Sequence, residues 1–334
     1  MSERKIIKFQ ILRAIAIIMV VLIHTVSVEK NLYIRQMFNF AVPLFIFLSG
    51  FFYNEKKFNE SGIKYLLSKL QTILIPYFFW SLLVLSLFLV LNKINPNDLF
   101  LKLATGGALG PYYYIIVLTQ LILFSPIMAV LNTKLIGKIV LFALTPITLA
   151  TLYILRINFI INFNNLYYAL PFTVWFIFYY TGYLTKKNDI IIKLSSKLEK
   201  NRLIFLILFI VSFGFTILES YIINIKLFDT TFAASQVKFT SFIMSFMIIF
   251  YLILFEFKDN PLNRLLVKIG DISFGIFLIH IIVIIAFRYI FNIFSLEIES
   301  SIFWFLISLV FSIIIIYTTK KTIRSKYVKI VLGF

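Results

Sequence analysis

Ten stretches of this chain run for about 18–22 residues with hardly a charge in them, the length an α-helix needs to cross a hydrocarbon core of roughly 30 Å at 1.5 Å per residue. They lie at 9–28, 37–53, 72–92, 112–131, 139–155, 167–184, 203–224, 236–256, 272–294 and 300–319. A water-soluble fold is excluded, since 61% of the 334 residues are hydrophobic and 14% charged, against about 45–50% and 25% in an ordinary soluble domain. The expectation is an all-α integral membrane protein of about ten transmembrane helices. It forms a single polytopic domain over 1–334, with a core at 9–319 and a basic cytoplasmic tail at 320–334.

The net charge of +18 would suggest nucleic acid in a soluble protein, but here the basic residues sit between apolar spans, as on the cytoplasmic side of membrane proteins. Alternate connections hold 23 and 8 of the Lys and Arg residues, the 8 including Lys238 at the start of the eighth span and Arg288 at the end of the ninth, with Arg13 inside the first span. That asymmetry places both termini in the cytoplasm and requires an even number of spans. The first span resembles a secretory signal only at its basic start, because Arg13 and His24 interrupt it and no small-x-small cleavage site follows. The Lys-rich stretch from Lys186 to Arg202, with Ser195, Ser196 and Glu199, reads as a short surface helix. High Ile, Phe, Asn and Lys content points to a low-GC bacterium, hence to a bacterial cell membrane.

The absence of cysteine excludes disulfides, thiol nucleophiles and Cys-ligated metals, and two histidines with no acidic neighbour in sequence supply no zinc cluster. The chemistry must come from other groups. Ionisable side chains within apolar spans are costly unless they face a partner or a wet cavity, which singles out Arg13 and His24. Eleven residues at 100° each return to within about 20° after three turns, so both project from one helix face, roughly 16–17 Å apart along the axis. Taken alone, Arg13 reads equally as a side chain snorkelling to lipid phosphates, and His24 as a hydrogen bond to a neighbouring helix. His280 sits near the middle of the ninth span with Ser273 on its face, while Asp271 points away and reads as the cap of that helix. The acidic residues lie in loops or near span ends, Glu219 and Glu256 closest to the core, so the mid-membrane carboxylates common in coupled transporters are missing.

Leu12-Arg13-Ala14 followed by His24 resembles the signature of the bacterial membrane acyltransferase-3 family of polytopic O-acyltransferases. Further matches follow in order: Val42 to Phe51, Ile75-Pro76-Tyr77 with Trp80, Gly110 to Tyr114, Trp175 to Gly182, and Ser273 to His280. The series covers nearly the whole hydrophobic core. The family often has Tyr where Phe277 stands and Arg in the region of Lys69 and Gln71. Tyr112-Tyr113-Tyr114-Ile115 replaces a common His-Leu-Trp-Phe stretch and is closer to branches acting on exopolysaccharide.

The resemblance implies transfer of an acyl group, acetyl or succinyl, from acyl-CoA as co-substrate to a hydroxyl of an envelope or exported glycan, with no bound cofactor or metal. His24 would be the base, and Arg13 would bind phosphate or polarise the thioester carbonyl. His280, Ser273, Tyr113, Tyr114 and Lys69 would contact substrate. Lys56, Lys57, Lys64 and Lys69 could bind CoA phosphates, although they also read as ordinary inside charge. Expected partners are acyl-CoA, the glycan or a lipid-linked sugar, membrane lipids and polysaccharide synthesis machinery, with no nucleic acid. The rival readings are a flippase or exporter of a lipid-linked glycan, and a structural subunit of an envelope-synthesis complex.

Overall fold

The computed structural model describes residues 3–158, 165–188, 202–226 and 228–334, so most of the surface helix expected between Lys186 and Arg202 lies outside the described residues. Among the described residues there is no strand. The helices used below are α1 (Glu3–Thr25), α2 (Val28–Arg35), α3 (Ala41–Phe52), α4 (Ile63–Val90), α5 (Tyr113–Leu131), α6 (Leu135–Asn158) and α7 (Phe172–Lys187). They continue as α8 (Arg202–Lys226), α9 (Phe239–Leu254), α10 (Pro261–Asp271), α11 (Ser273–Ile293), α12 (Ser301–Thr322) and α13 (Lys326–Leu332).

Nine segments among the described residues are long and apolar enough to cross a membrane, and the chain is a multi-pass membrane protein. Ten were expected. The remaining one, predicted over 167–184, consists of a short helix at Asn165–Ala169 and then α7, of 16 residues. Pro171 sets the start of α7 as its N-cap, and at 1.5 Å per residue the helix is about 24 Å long, below the common spanning length.

The chain divides into two compact units. The first comprises Met1–Ser27, Gln71–Ile115 and Lys258–Phe334. In it α1 packs against α10, α11 and α12, and α11 packs against α12. The chain end folds onto α4 and α11: Trp80 Nε1 donates to the Leu332 carbonyl at 3.0 Å, and the Trp80 and Phe334 rings lie 6.3 Å apart. Pro76 sits inside α4, and the next residue, Tyr77, donates its hydroxyl to the Leu103 carbonyl.

The second unit comprises Val28–Leu70 and Ile116–Phe257. Its tightest pairing is α3 with α7, made by two glycines. A Cβ on Gly50 would lie 1.9 Å from the Tyr179 carbonyl oxygen, and one on Gly182 would lie 2.0 Å from that of Phe47, so only bare backbone allows this approach. The α2–α3 segment is 61% buried in its most apolar window and α8 only 17%, which assigns them to the interior and to the lipid-facing rim of the unit.

A polar knot holds the other end of this unit. Lys238 is fully buried, and its ammonium donates to Gln36 Oε1 at 2.8 Å, to the Ala233 carbonyl at 2.6 Å and to Ser220 Oγ. Its three protons are thus all satisfied. Glu219 on α8 accepts from Tyr153, from Thr240 Oγ1 and from the Thr240 backbone N–H at 3.1 Å. Asp229 pairs with Arg156, whose guanidinium lies 4.5 Å from the Tyr168 ring centre and 4.1 Å from that of Phe232. Glu219 is therefore anchored in packing, while Glu256 is exposed.

Candidate functional site

The first unit gathers most of the residues singled out in the sequence. α1 is continuous from Glu3 to Thr25, so the eleven-residue spacing of Arg13 and His24 keeps both on one face. Both are half-buried, while Leu12, Ala14, Ile17, Val21 and Ile23 are buried.

Near Arg13, α1 meets α10 at Gly270. A Cβ there would lie 2.0 Å from the Gln10 carbonyl oxygen, so this crossing depends on glycine. One turn on, Arg13 Nη1 approaches Gln10 Oε1 at 3.4 Å, and the groups that act on the guanidinium electrostatically include Tyr114 and Asp271. Asp271 was expected to cap α11. It is instead the exposed last residue of α10; the N-cap of α11 is Ile272, with no side-chain cap bond. The tight break between the two helices leaves the carboxylate to the Arg13 end of the unit.

At the other end of the face, His24 meets His280 of α11, with ring centres 5.4 Å apart and planes inclined at 49°. His280 is fully buried. Its Nδ1 lies 2.8 Å from the Phe277 carbonyl oxygen and 3.1 Å from that of Ile276. A carbonyl only accepts, so in the neutral ring Nδ1 carries the proton and Nε2 the lone pair. Among the described residues, Nε2 is a buried nitrogen with no hydrogen-bond partner. The helix is braced at this point, since Ser308 Oγ donates to the His280 carbonyl at 3.0 Å and the Tyr112 hydroxyl donates to that of Leu278 at 2.7 Å.

Phe277 forms an aromatic wall beside the pair: its ring centre is 5.4 Å from Tyr114, 6.2 Å from His280 and 6.3 Å from Tyr112. Tyr114 is buried and Tyr113, at the start of α5, half-buried. Ser273 is buried as the first residue of α11, two turns before His280. Lys69 belongs to the second unit, where it is exposed with its ammonium 5.8 Å from the Tyr65 ring. No group of three or more potential metal-ligating side chains occurs among the described residues.

Sequence spacing did not pair the two histidines or find the Phe277 wall, because both depend on which helices pack together. The usable signal was that each histidine is a lone imidazole in an apolar span and needs a partner. Lys238 gave the same signal, as a lone cation within the apolar segment Thr230–Leu254.

Chemically, the arrangement puts a cation suited to an anionic or carbonyl oxygen at one end of a helix face and two imidazoles at the other, beside an aromatic wall. A family model described as an acyltransferase domain, that of the acyltransferase-3 family, matches residues 6–321. No curated protein and no solved structure matches the chain.

Proposed function

The chain belongs to the acyltransferase-3 family and is a membrane acyltransferase, and we propose that it moves an acetyl or succinyl group from acyl-CoA to a hydroxyl of an envelope or exported glycan in a bacterial cell membrane. The hydroxyl oxygen attacks the thioester carbonyl carbon, the new C–O bond forms and the C–S bond breaks. His24 takes the hydroxyl proton and returns it to the departing sulfur, so that the products are the ester and free CoA thiol. Arg13 holds donor phosphate or the carbonyl oxygen as it gains charge. Tyr113, Tyr114 and Ser273 contact substrate, and His280 supports the imidazole end of the site. Lys69, near the start of α4, and the basic residues before it attract the CoA phosphates, so binding weakens as salt screens them over about 8–10 Å.

The observation that carries this reading is the shared face of α1, which presents Arg13 and His24 in one family-matched unit with His24 against His280. The test uses purified protein in lipid nanodiscs with labelled acetyl-CoA or succinyl-CoA and a panel of envelope glycans and lipid-linked sugars. Label transferred to carbohydrate, with stoichiometric release of CoA thiol that depends on His24, is the expected result. Lipid-linked glycan crossing the bilayer of sealed proteoliposomes without any thioester, and no label on sugar with either donor, replaces the transferase reading with a flippase.

A further inference from the structure

His280 presents a combination found nowhere else among the described residues: a fully buried imidazole, tethered through one nitrogen, whose other nitrogen has no hydrogen-bond partner. A buried acceptor left unmade costs about 1–3 kcal/mol, so it calls for an explanation. The tether explains half of it. The Phe277 and Ile276 carbonyls fix the proton on Nδ1, and the braces from Ser308 and Tyr112 hold that turn of α11, so Nε2 keeps one orientation and one role, that of acceptor.

The neighbouring polar ring is that of His24. Imidazoles with centres 5.4 Å apart can bring two ring nitrogens to about 3 Å by a modest side-chain rotation, within hydrogen-bonding range. A neutral His24 carries one N–H and one unprotonated nitrogen, and the hydrogen bonds at the ring set which is which. A locked acceptor beside it favours the tautomer that points its N–H at that acceptor.

We propose that His280 is a positioning residue: its Nε2 accepts the His24 N–H, fixing the His24 tautomer so that the other nitrogen is the unprotonated one that takes the substrate hydroxyl proton. This rests on the reading of His24 as the base. When His24 gains that proton, the N–H facing His280 becomes charge-assisted and the imidazolium is stabilised until the proton passes to the thiolate. His280 thus supplies the orienting partner that a carboxylate supplies in a serine-hydrolase triad, with two backbone carbonyls as the next link.

The chain has only two histidines, so ring-15N labelling reports this pair alone. The spectrum of the full chain in nanodiscs should show His280 protonated at Nδ1, a scalar coupling between its Nε2 and a His24 nitrogen, and a single His24 tautomer that becomes a mixture in His280→Leu. Absence of that coupling together with an unchanged His24 tautomer overturns the proposal, whatever the activity. In kinetics, His280→Leu should lower kcat roughly ten- to a hundredfold with little change in KM for acyl-CoA, the size of effect seen when a histidine loses its orienting partner in metal sites. His280→Gln, which returns an acceptor near the Nε2 position, should recover much of that loss. In a His24→Ala background, His280→Leu should cost nothing further, because it acts only through His24. An equal loss in both backgrounds, a full rate in His280→Leu, or a His280→Gln variant as inactive as His24→Ala each refutes the positioning role. A fully active His24→Ala enzyme sinks the base assignment instead, and the coupling then still tests the histidine bond by itself.

Discussion

Arg13 and His24 share a face of one helix, so their substitutions separate by chemistry rather than by place. Replacing His24 with Ala should reduce turnover by roughly two to four orders of magnitude while the amount of folded protein is kept, since a base contributes about that much. Arg13→Lys keeps the charge but loses the planar fork that grips an oxyanion with two parallel bonds. It should therefore raise KM for the donor and lower kcat, both measurable with labelled acyl-CoA, and wild-type constants in this variant would deny Arg13 contact with donor oxygens. The spacing that marked these two residues was legible because both lie on one uninterrupted helix, where 100° per residue fixes relative direction. The role of His280 was not, because the orphaned Nε2 follows from hydrogen bonds to the carbonyls of Ile276 and Phe277 and from the packing of α11 on α1.

Between elements, two kinds of contact govern packing: bare backbone at glycine and ion pairs at helix ends. Gly270→Ala places a methyl 2.0 Å from the Gln10 carbonyl oxygen, so α1 and α10 must separate. Overpacking of this kind costs about 1–3 kcal/mol. Because Arg13 lies one turn from Gln10, the variant should lose turnover as well as thermal stability, and unchanged kcat would show that the crossing does not position Arg13. In the second unit, Asp229 sits between two candidate spans and accepts from Arg156, Thr231 and the Phe232 backbone N–H. Burial pushes its carboxyl up, but these bonds outweigh that and hold it below the usual carboxylate range. The stabilisation is therefore present above the unfolded pKa of about 3.9 and is lost as pH falls through the lower folded value. Asp229→Asn should lower stability by about 3 kcal/mol near neutrality and flatten the acid limb of a pH–melting series, whereas Arg156→Met combined with Asp229→Leu should cost less than the single change. Hydropathy found the bodies of these helices but not their ends. α4 begins at Ile63 rather than near 72, because Lys64, Tyr65, Ser68 and Lys69 continue the helix beyond the apolar stretch to which a hydropathy window responds. The glycine crossings were invisible for a different reason: a glycine in an apolar run reads the same whether it faces lipid or a neighbouring backbone.

Across the whole molecule, the direction of the chain turns on α7. Among the described residues nine segments meet the length and hydropathy of a crossing, and nine crossings would leave the termini on opposite sides, whereas the 23 to 8 distribution of Lys and Arg demands an even number. α7 resolves the conflict if its 16 residues cross, although about 24 Å falls short of a lipid-facing span. The shortfall is tolerable because Val174, Trp175, Phe176, Phe178, Tyr179 and Tyr180 are buried in protein, so hydrocarbon thickness does not set the length this helix needs. Reporter fusions should then read cytoplasmic after Glu60, Lys187, Asn263 and Lys329, and external after Asn97 and Glu297. The decisive pair is Lys187 and Lys329. An external signal at both, with Glu60 cytoplasmic and Asn97 external, would mean that α7 does not cross and that every later helix runs opposite to the charge rule. α11 would then start from the external side, and the basic segments around α10 and α13 would lie outside.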